Sequence, residues 1–260
     1  MRCAVVGHVE WVEFARVPRM PSAGEIVHAD RVWQEPAGGG AVVARQLALL
    51  AGRCELFTAL GDDALGRRSA ERLAELGIDV HVKWGGATRR AWTHVDGAGE
   101  RTITVLGDKL LASGPLPLDG YDLVFFVAGE RETLQSARQA RFVAGTVREL
   151  PTLQQADVEL DLLVASANDP GERYDGSLRV RHVALTDGAS GGTLDGEPYA
   201  AALADRIVDT YGAGDSFAAA LAFALAGGDD PQSASDLAAR AGAAVIGGAG
   251  PYEAQLAFRG

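Results

Sequence analysis

The chain has 260 residues, 47% hydrophobic and 23% charged, a balance that suits a globular protein with a real core and excludes disorder as the main state. Its 35 acidic against 24 basic residues leave a formal charge of −11, which argues against salt-driven binding to nucleic acid. The lysines are Lys83 and Lys109 alone, which makes no basic tail for a membrane surface, and no apolar run approaches the ~20 residues of a spanning helix.

Met1 to Gly7 runs straight into a strand-like segment, so no secretory leader is expected. Cys3 and Cys54 have no metal spacing and read as buried free thiols of a cytoplasmic protein. Arg2–Val9 reads as a buried strand, Gly40–Gly52 as an Ala- and Leu-rich helix, and Cys54–Leu60 as a strand ended by Gly61-Asp62-Asp63. Ala64–Leu76 has helical spacing and stops at Gly77, and Ile78–Val82 is a strand. Further on come a strand at Tyr121–Val127, a helix at Glu132–Ala140, and strands at Leu160–Ala165 and His182–Thr186. Thr210–Ala226 and Pro231–Ile246 close the pattern as helices rich in small residues. Alternating strands and helices predict an α/β fold with a mainly parallel sheet covered on both faces. Glu10–Trp33 and Ala91–Val105 break that rhythm; their alternation predicts a small β-layer beside the main sheet.

The run Ile207-Val208-Asp209-Thr210-Tyr211-Gly212-Ala213-Gly214-Asp215-Ser216-Phe217 carries the chemistry. A Gly-Ala-Gly turn that opens a helix exposes consecutive N–H groups where the helix dipole favours an anion. Asp215 beside that turn can take a proton from a hydroxyl while the amides hold a phosphoryl group. Gly-x-Gly-Asp alone fits a plain helix cap equally well.

The longer string resembles the C-terminal signature of the ribokinase-like (PfkB) carbohydrate kinases, Asp-Thr-x-Gly-Ala-Gly-Asp-x-Phe, at every fixed position. The resemblance continues in order along the chain: Pro36-Ala37-Gly38-Gly39-Gly40, Gly61-Asp62-Asp63-Ala64-Leu65-Gly66, Gly99-Glu100-Arg101 and Thr186-Asp187-Gly188-Ala189-Ser190-Gly191. It implies a single domain over 1–260, a three-layer α/β/α sandwich with a β lid from roughly 10–33 and 85–106. It implies an ATP-dependent kinase of a small sugar or related polyol, with Asp215 as general base and Gly212, Ala213 and Gly214 as the anion hole. Thr186, Gly188, Gly191, Asp209 and Thr210 would line the nucleotide site, and Gly38, Gly39 and Glu10 the acceptor site. ATP and Mg2+ are the implied cofactors, with a monovalent cation as a further candidate and a homodimer as an open expectation.

Several positions depart from the family pattern. Its Asn-Glu-x-Glu element falls on Ser166-Ala167-Asn168-Asp169, leaving Asp169 as the candidate magnesium residue, or as part of a plain loop. Its sugar-binding Asp falls on Val12, with Glu10 the nearest substitute. Trp11 fits either ring stacking or lid packing. Arg148 fits a phosphate contact or a surface cap, and Glu130 an acceptor contact or solvent. None of the five histidines has metal spacing; His8 alone lies beside the acceptor residues. A nucleoside kinase and a non-catalytic ligand-binding protein on the same scaffold remain as alternatives. A dehydrogenase is set aside because Gly7-His8-Val9-Glu10 stands where Gly-x-Gly-x-x-Gly is required.

Overall fold

The structure, a computed structural model, describes residues 1–258. A nine-stranded sheet forms its centre. Seven strands are parallel: β1 (Cys3–Val6), β4 (Cys54–Leu60), β5 (Ile78–Trp84), β8 (Leu123–Phe126), β9 (Phe142–Thr146), β10 (Leu160–Ser166) and β11 (Val180–Thr186). Short antiparallel strands β12 (Gly192–Leu194) and β13 (Glu197–Tyr199) extend one edge. The spatial order is β13-β12-β11-β10-β9-β8-β1-β4-β5. β1, β4 and β8 are buried throughout, as parallel strands covered on both faces must be.

Helices α1 (Gly39–Ala51), α2 (Ala64–Glu75), α5 (Ala213–Gly227) and α6 (Pro231–Val245) cover one face, around Val5, Leu47, Leu56, Leu73 and Leu221. Helices α3 (Arg131–Ala137) and α4 (Leu150–Ala156) cover the other, around Val6, Phe126, Leu134 and Leu153. The expected three-layer α/β/α sandwich is therefore present. Cys3 and Cys54 are buried free thiols in adjacent register on β1 and β4. Among the described residues no helix is long and apolar enough to cross a membrane.

A separate four-stranded sheet forms the expected β-layer, in the order β3-β2-β6-β7. Its strands are β2 (Glu10–Arg16), β3 (Arg31–Ala37), β6 (Arg90–Val95) and β7 (Arg101–Leu106). β3 runs four residues further than Trp33, through Pro36; a proline is tolerated there because β3 is an edge strand. β2 and β6 pair in parallel, joining the two halves of the layer.

Asp63 explains the Gly61-Asp62-Asp63-x-x-Gly66 motif. Its carboxylate caps α2 by accepting from Gly66 N (2.8 Å), and it also accepts from Thr88 N (2.7 Å) and Thr88 Oγ1 (2.6 Å). Gly61 and Gly66 lie against Thr88, where a Cβ would collide. The motif therefore pins the segment that enters β6 of the lid. Loss of an N-cap costs ~0.5–2 kcal/mol, and here the lid anchor goes with it. Asp63→Ala is expected to lower the melting temperature by several degrees at roughly 2–4 °C per kcal/mol, read by calorimetry; an unchanged melting temperature would contradict the anchor.

The structure also contains elements that the periodicity missed. α4 begins at Leu150-Pro151, where proline is compatible with a first helical turn, and follows a single 3-10 turn at Val147–Glu149. β12 and β13 are joined by Asp195-Gly196, both at positive φ, the backbone of a tight hairpin. α5 starts at Ala213 rather than Thr210 because Gly212 is left-handed, at φ 83°.

Candidate active site

The candidate residues gather at the carboxyl ends of the parallel strands, beneath the lid. Gly212 caps α5 without a side-chain cap, so no side chain takes the first-turn N–H donors. Gly214 is exposed, with nothing near its missing Cβ, so the turn is open on that side. Gly212 itself must be glycine twice over, because φ is +83° and a Cβ would lie 3.0 Å from Val42 Cγ1.

Asp215 sits in the first turn of α5, half-buried beside this open turn. A Cβ on Gly39 would lie 3.1 Å from its Oδ1 and 2.9 Å from Val127 Cγ1, so the base and the Gly38-Gly39 step face each other closely. Desolvation pushes the Asp215 carboxyl up to about 6; the charges of Arg101 and Arg148 pull it down, and Glu172 adds to the rise. A carboxyl poised near neutrality can both accept and return a proton.

Asp209 lies below the turn. It is fully buried, and its two oxygens accept from Tyr211 N and Gly250 N, both at 2.9 Å. Expected in the nucleotide site, it instead braces the turn from inside. Thr210 meets the lid: its N–H donates to Gly99 O (2.9 Å) and its Oγ1 accepts from Arg101 Nη1 (3.2 Å). The lid hairpin thus docks on the irregular segment that leads into α5, with the Arg101 charge acting on Asp215. Arg101→Gln removes a cation that holds the Asp215 carboxyl down. The acid limb of kcat/KM is therefore expected to move to higher pH, and a limb that stays put would contradict the coupling.

Gly38 has φ +90°, and its N–H donates to the Tyr211 hydroxyl (3.2 Å). A Cβ there would lie 3.1 Å from the His8 ring and 3.4 Å from Glu10 Cγ. His8, Glu10, Gly38, Gly39 and Asp215 therefore lie together. Burial and the nearby Lys109, Arg89 and Arg148 push His8 down to about 3, so its imidazole is neutral at neutral pH. Glu10 is buried, which raises its carboxyl above the usual range although Arg89 and Lys109 oppose this.

Thr186 ends β11, and its hydroxyl donates to Ala165 O (3.2 Å). Gly188 and Gly191 follow in a 3-10 turn at positive φ, and a Cβ on Gly191 would strike Tyr199 O. Asn168 lies beside Gly188. The next residue, Asp169, accepts from Gly171 N (2.8 Å) and from Arg148 (2.5 Å), and Arg148 also bonds Glu172 (2.6 Å). Arg148 is exposed and holds the 169–172 turn through these two carboxylates, while its charge acts on Asp215.

Among the described residues no three His, Cys, Asp or Glu side chains form a ready metal cage. Asp169 and Glu172 are both paired with Arg148.

Trp11 is 2% exposed with the Arg68 guanidinium 4.7 Å over its ring, which is lid packing. Glu130 is exposed before α3. The sequence did not single out Arg89, Lys109 or Tyr211, since each reads as an ordinary residue of the lid or of a variable motif position.

The family model described as the pfkB family carbohydrate kinase matches residues 1–119 and 130–256. The chain belongs to the PfkB family of carbohydrate kinases. A relative from Halopiger xanaduensis, described as an ATP-dependent ribose-1-phosphate kinase, is 28% identical over 99% of this chain and 96% of its own length. Two solved structures share the fold. The nucleoside kinase of Burkholderia thailandensis, solved with inosine, has a TM-score of 0.80 at 19% identity, over 98% of this chain and 94% of its own. The ribokinase of Thermotoga maritima has a TM-score of 0.76 at 22% identity, over 99% and 96%.

Proposed function

We propose that this PfkB chain transfers the γ-phosphoryl group of ATP to a hydroxyl of a small sugar or nucleoside. One observation carries the reading: Asp215 stands beside an uncapped helix turn and directly against the Gly38-Gly39 step. The Halopiger relative, with its ATP donor and sugar-derived acceptor, agrees with it.

The acceptor hydroxyl gives its proton to an Asp215 oxygen as its own oxygen forms the new bond to γ-phosphorus. The bond from γ-phosphorus to the β–γ bridging oxygen breaks, and ADP leaves with that electron pair. The amides of Gly212, Ala213 and Gly214 stabilise the charge on the transferring group at the positive end of α5. Thr186, Gly188, Gly191 and Thr210 line the nucleotide side, with Asp209 holding the turn in shape. Gly38, Gly39 and Glu10 hold the acceptor. Magnesium bound to ATP would supply neutralisation of phosphate charge, and Asp169, now paired with Arg148, is the residue that would face it. The docked lid excludes water, which would otherwise compete as acceptor.

The test is ADP release with Mg-ATP across sugars, sugar phosphates and nucleosides, with Asp215→Asn alongside. Turnover with one acceptor class, lost in the variant, is the expected result. ATP binding without turnover on any acceptor would instead identify a ligand-binding protein.

A further inference from the structure

The two edges of the main sheet are finished differently. β13 closes one edge with three residues, one of them Pro198, and both a short strand and a proline keep a free edge from pairing. β5 closes the other with seven residues, Ile78-Asp79-Val80-His81-Val82-Lys83-Trp84, without proline or glycine. Among the described residues no strand pairs with its outer side. Val80 and Val82 are only half-buried there, and Trp84 is 44% exposed.

The phase of this strand is fixed by Gly85 N, which donates inward to Leu60 O (3.0 Å). Backbone groups alternate in direction along a strand, so those of Asp79, His81 and Lys83 face β4 and those of Val80 and Val82 face outward. Side chains alternate between the two faces of the sheet. His81 stacks on Phe57 at 4.5 Å on the face that α3 and α4 cover, and Asp79 and Lys83 share that face. Val80 and Val82 pack toward the opposite face, with Leu56 and Leu73.

The residues of β5 complement themselves in reverse order. About His81, Val80 answers Val82 and Asp79 answers Lys83. Two copies laid antiparallel with His81 opposite His81 would therefore match in backbone and in charge. Val80 of one copy would exchange both of its outward hydrogen bonds with the partner's Val82. Asp79 would stand opposite the partner's Lys83 in the closer, non-hydrogen-bonded kind of pair, once on each side of the axis. A shift of two residues either way sets His81 against Asp79 or Lys83 and loses both charge pairs, so the register is specified. Within one chain these charges have weak partners: the half-exposed Asp79 side chain meets exposed Arg53 at 2.5 Å, and Lys83 bonds the Ser113 hydroxyl.

We propose that a second copy of this chain docks on β5, joining the two nine-stranded sheets edge to edge about a two-fold axis at His81. The contact is made by the main sheet and not by the lid. One seven-residue edge is a small interface, so the dimer is a weak one, with Kd about 1–100 μM.

Sedimentation equilibrium from about 1 to 300 μM protein tests this, on wild type, Asp79→Lys, Lys83→Glu, the double variant Asp79→Lys/Lys83→Glu, and Val82→Pro. Each single charge variant sets like charges opposite each other on both sides of the axis and is expected to raise Kd about 10-fold or more. The double variant exchanges the two signs and should return Kd to within about 3-fold of wild type, which a purely structural effect would not do. Val82→Pro removes an outward N–H that serves no strand within the chain, and should abolish association. Melting temperatures verify folding, and the exposed charge positions keep the test open if Val82→Pro does not fold. Wild type that stays monomeric to the highest concentration would overturn the proposal. So would a dimer whose Kd is the same in both single charge variants, since its contact would then lie elsewhere.

Discussion

Asp215→Asn is expected to lower kcat by about 10²–10⁴-fold, the usual contribution of a positioned base, while the protein stays folded. Asparagine keeps the shape of the side chain and removes only its capacity to take a proton. The carboxyl of Asp215 is raised by desolvation from 3.8 to about 6 on folding. A raised carboxyl adds stability that is full below its unfolded value and is lost as pH climbs through about 6. At pH 7–8 the ionised carboxylate is therefore a burden on the fold, and the asparagine variant should melt no lower than wild type. A loss of activity with unchanged or higher melting temperature separates a catalytic role from a structural one. A variant that melts several degrees lower would contradict this account of the site.

Gly39→Ala is expected to reduce kcat/KM by about 10²-fold, the order seen when reacting groups are displaced by ~1 Å. The added methyl would lie 3.1 Å from Asp215 Oδ1 and 2.9 Å from Val127 Cγ1, so it enters the space between base and acceptor. Gly40→Ala makes the contrast. Its Cβ would lie 2.6 Å from the His8 carbonyl oxygen, where α1 crosses the end of β1, so its cost should appear as lost stability. Steady-state kinetics and calorimetry on the two variants check this division, and equal behaviour of the pair would contradict it.

The main sheet was legible in the sequence because buried parallel strands such as Leu123–Phe126 are continuous apolar runs. The motif glycines were legible for the same reason that they are needed: Gly212 and Gly38 require positive φ and close approach. What escaped lies in tertiary context. Pro151 reads as a breaker but opens α4, and three-residue strands such as β12 are too short for any period. Arg89 and Lys109 are forty or more residues from the Gly38-Gly39 step, and only the pairing of β2 with β6 carries Arg89 to Glu10. Asp209 matched its motif, but its internal bracing follows from Gly250, which no local pattern connects to it.

The pH dependence of kcat/KM tests the central assignment most directly, measured from pH 4.5 to 9 on wild type and on the residual activity of Asp215→Asn. Asp215 must be ionised to take the acceptor proton, so wild-type activity is predicted to rise with pH to a plateau, with a limb near 6. That limb should vanish in Asp215→Asn. A wild-type profile that is flat through this range, or a limb that survives in the variant, would contradict Asp215 as the base.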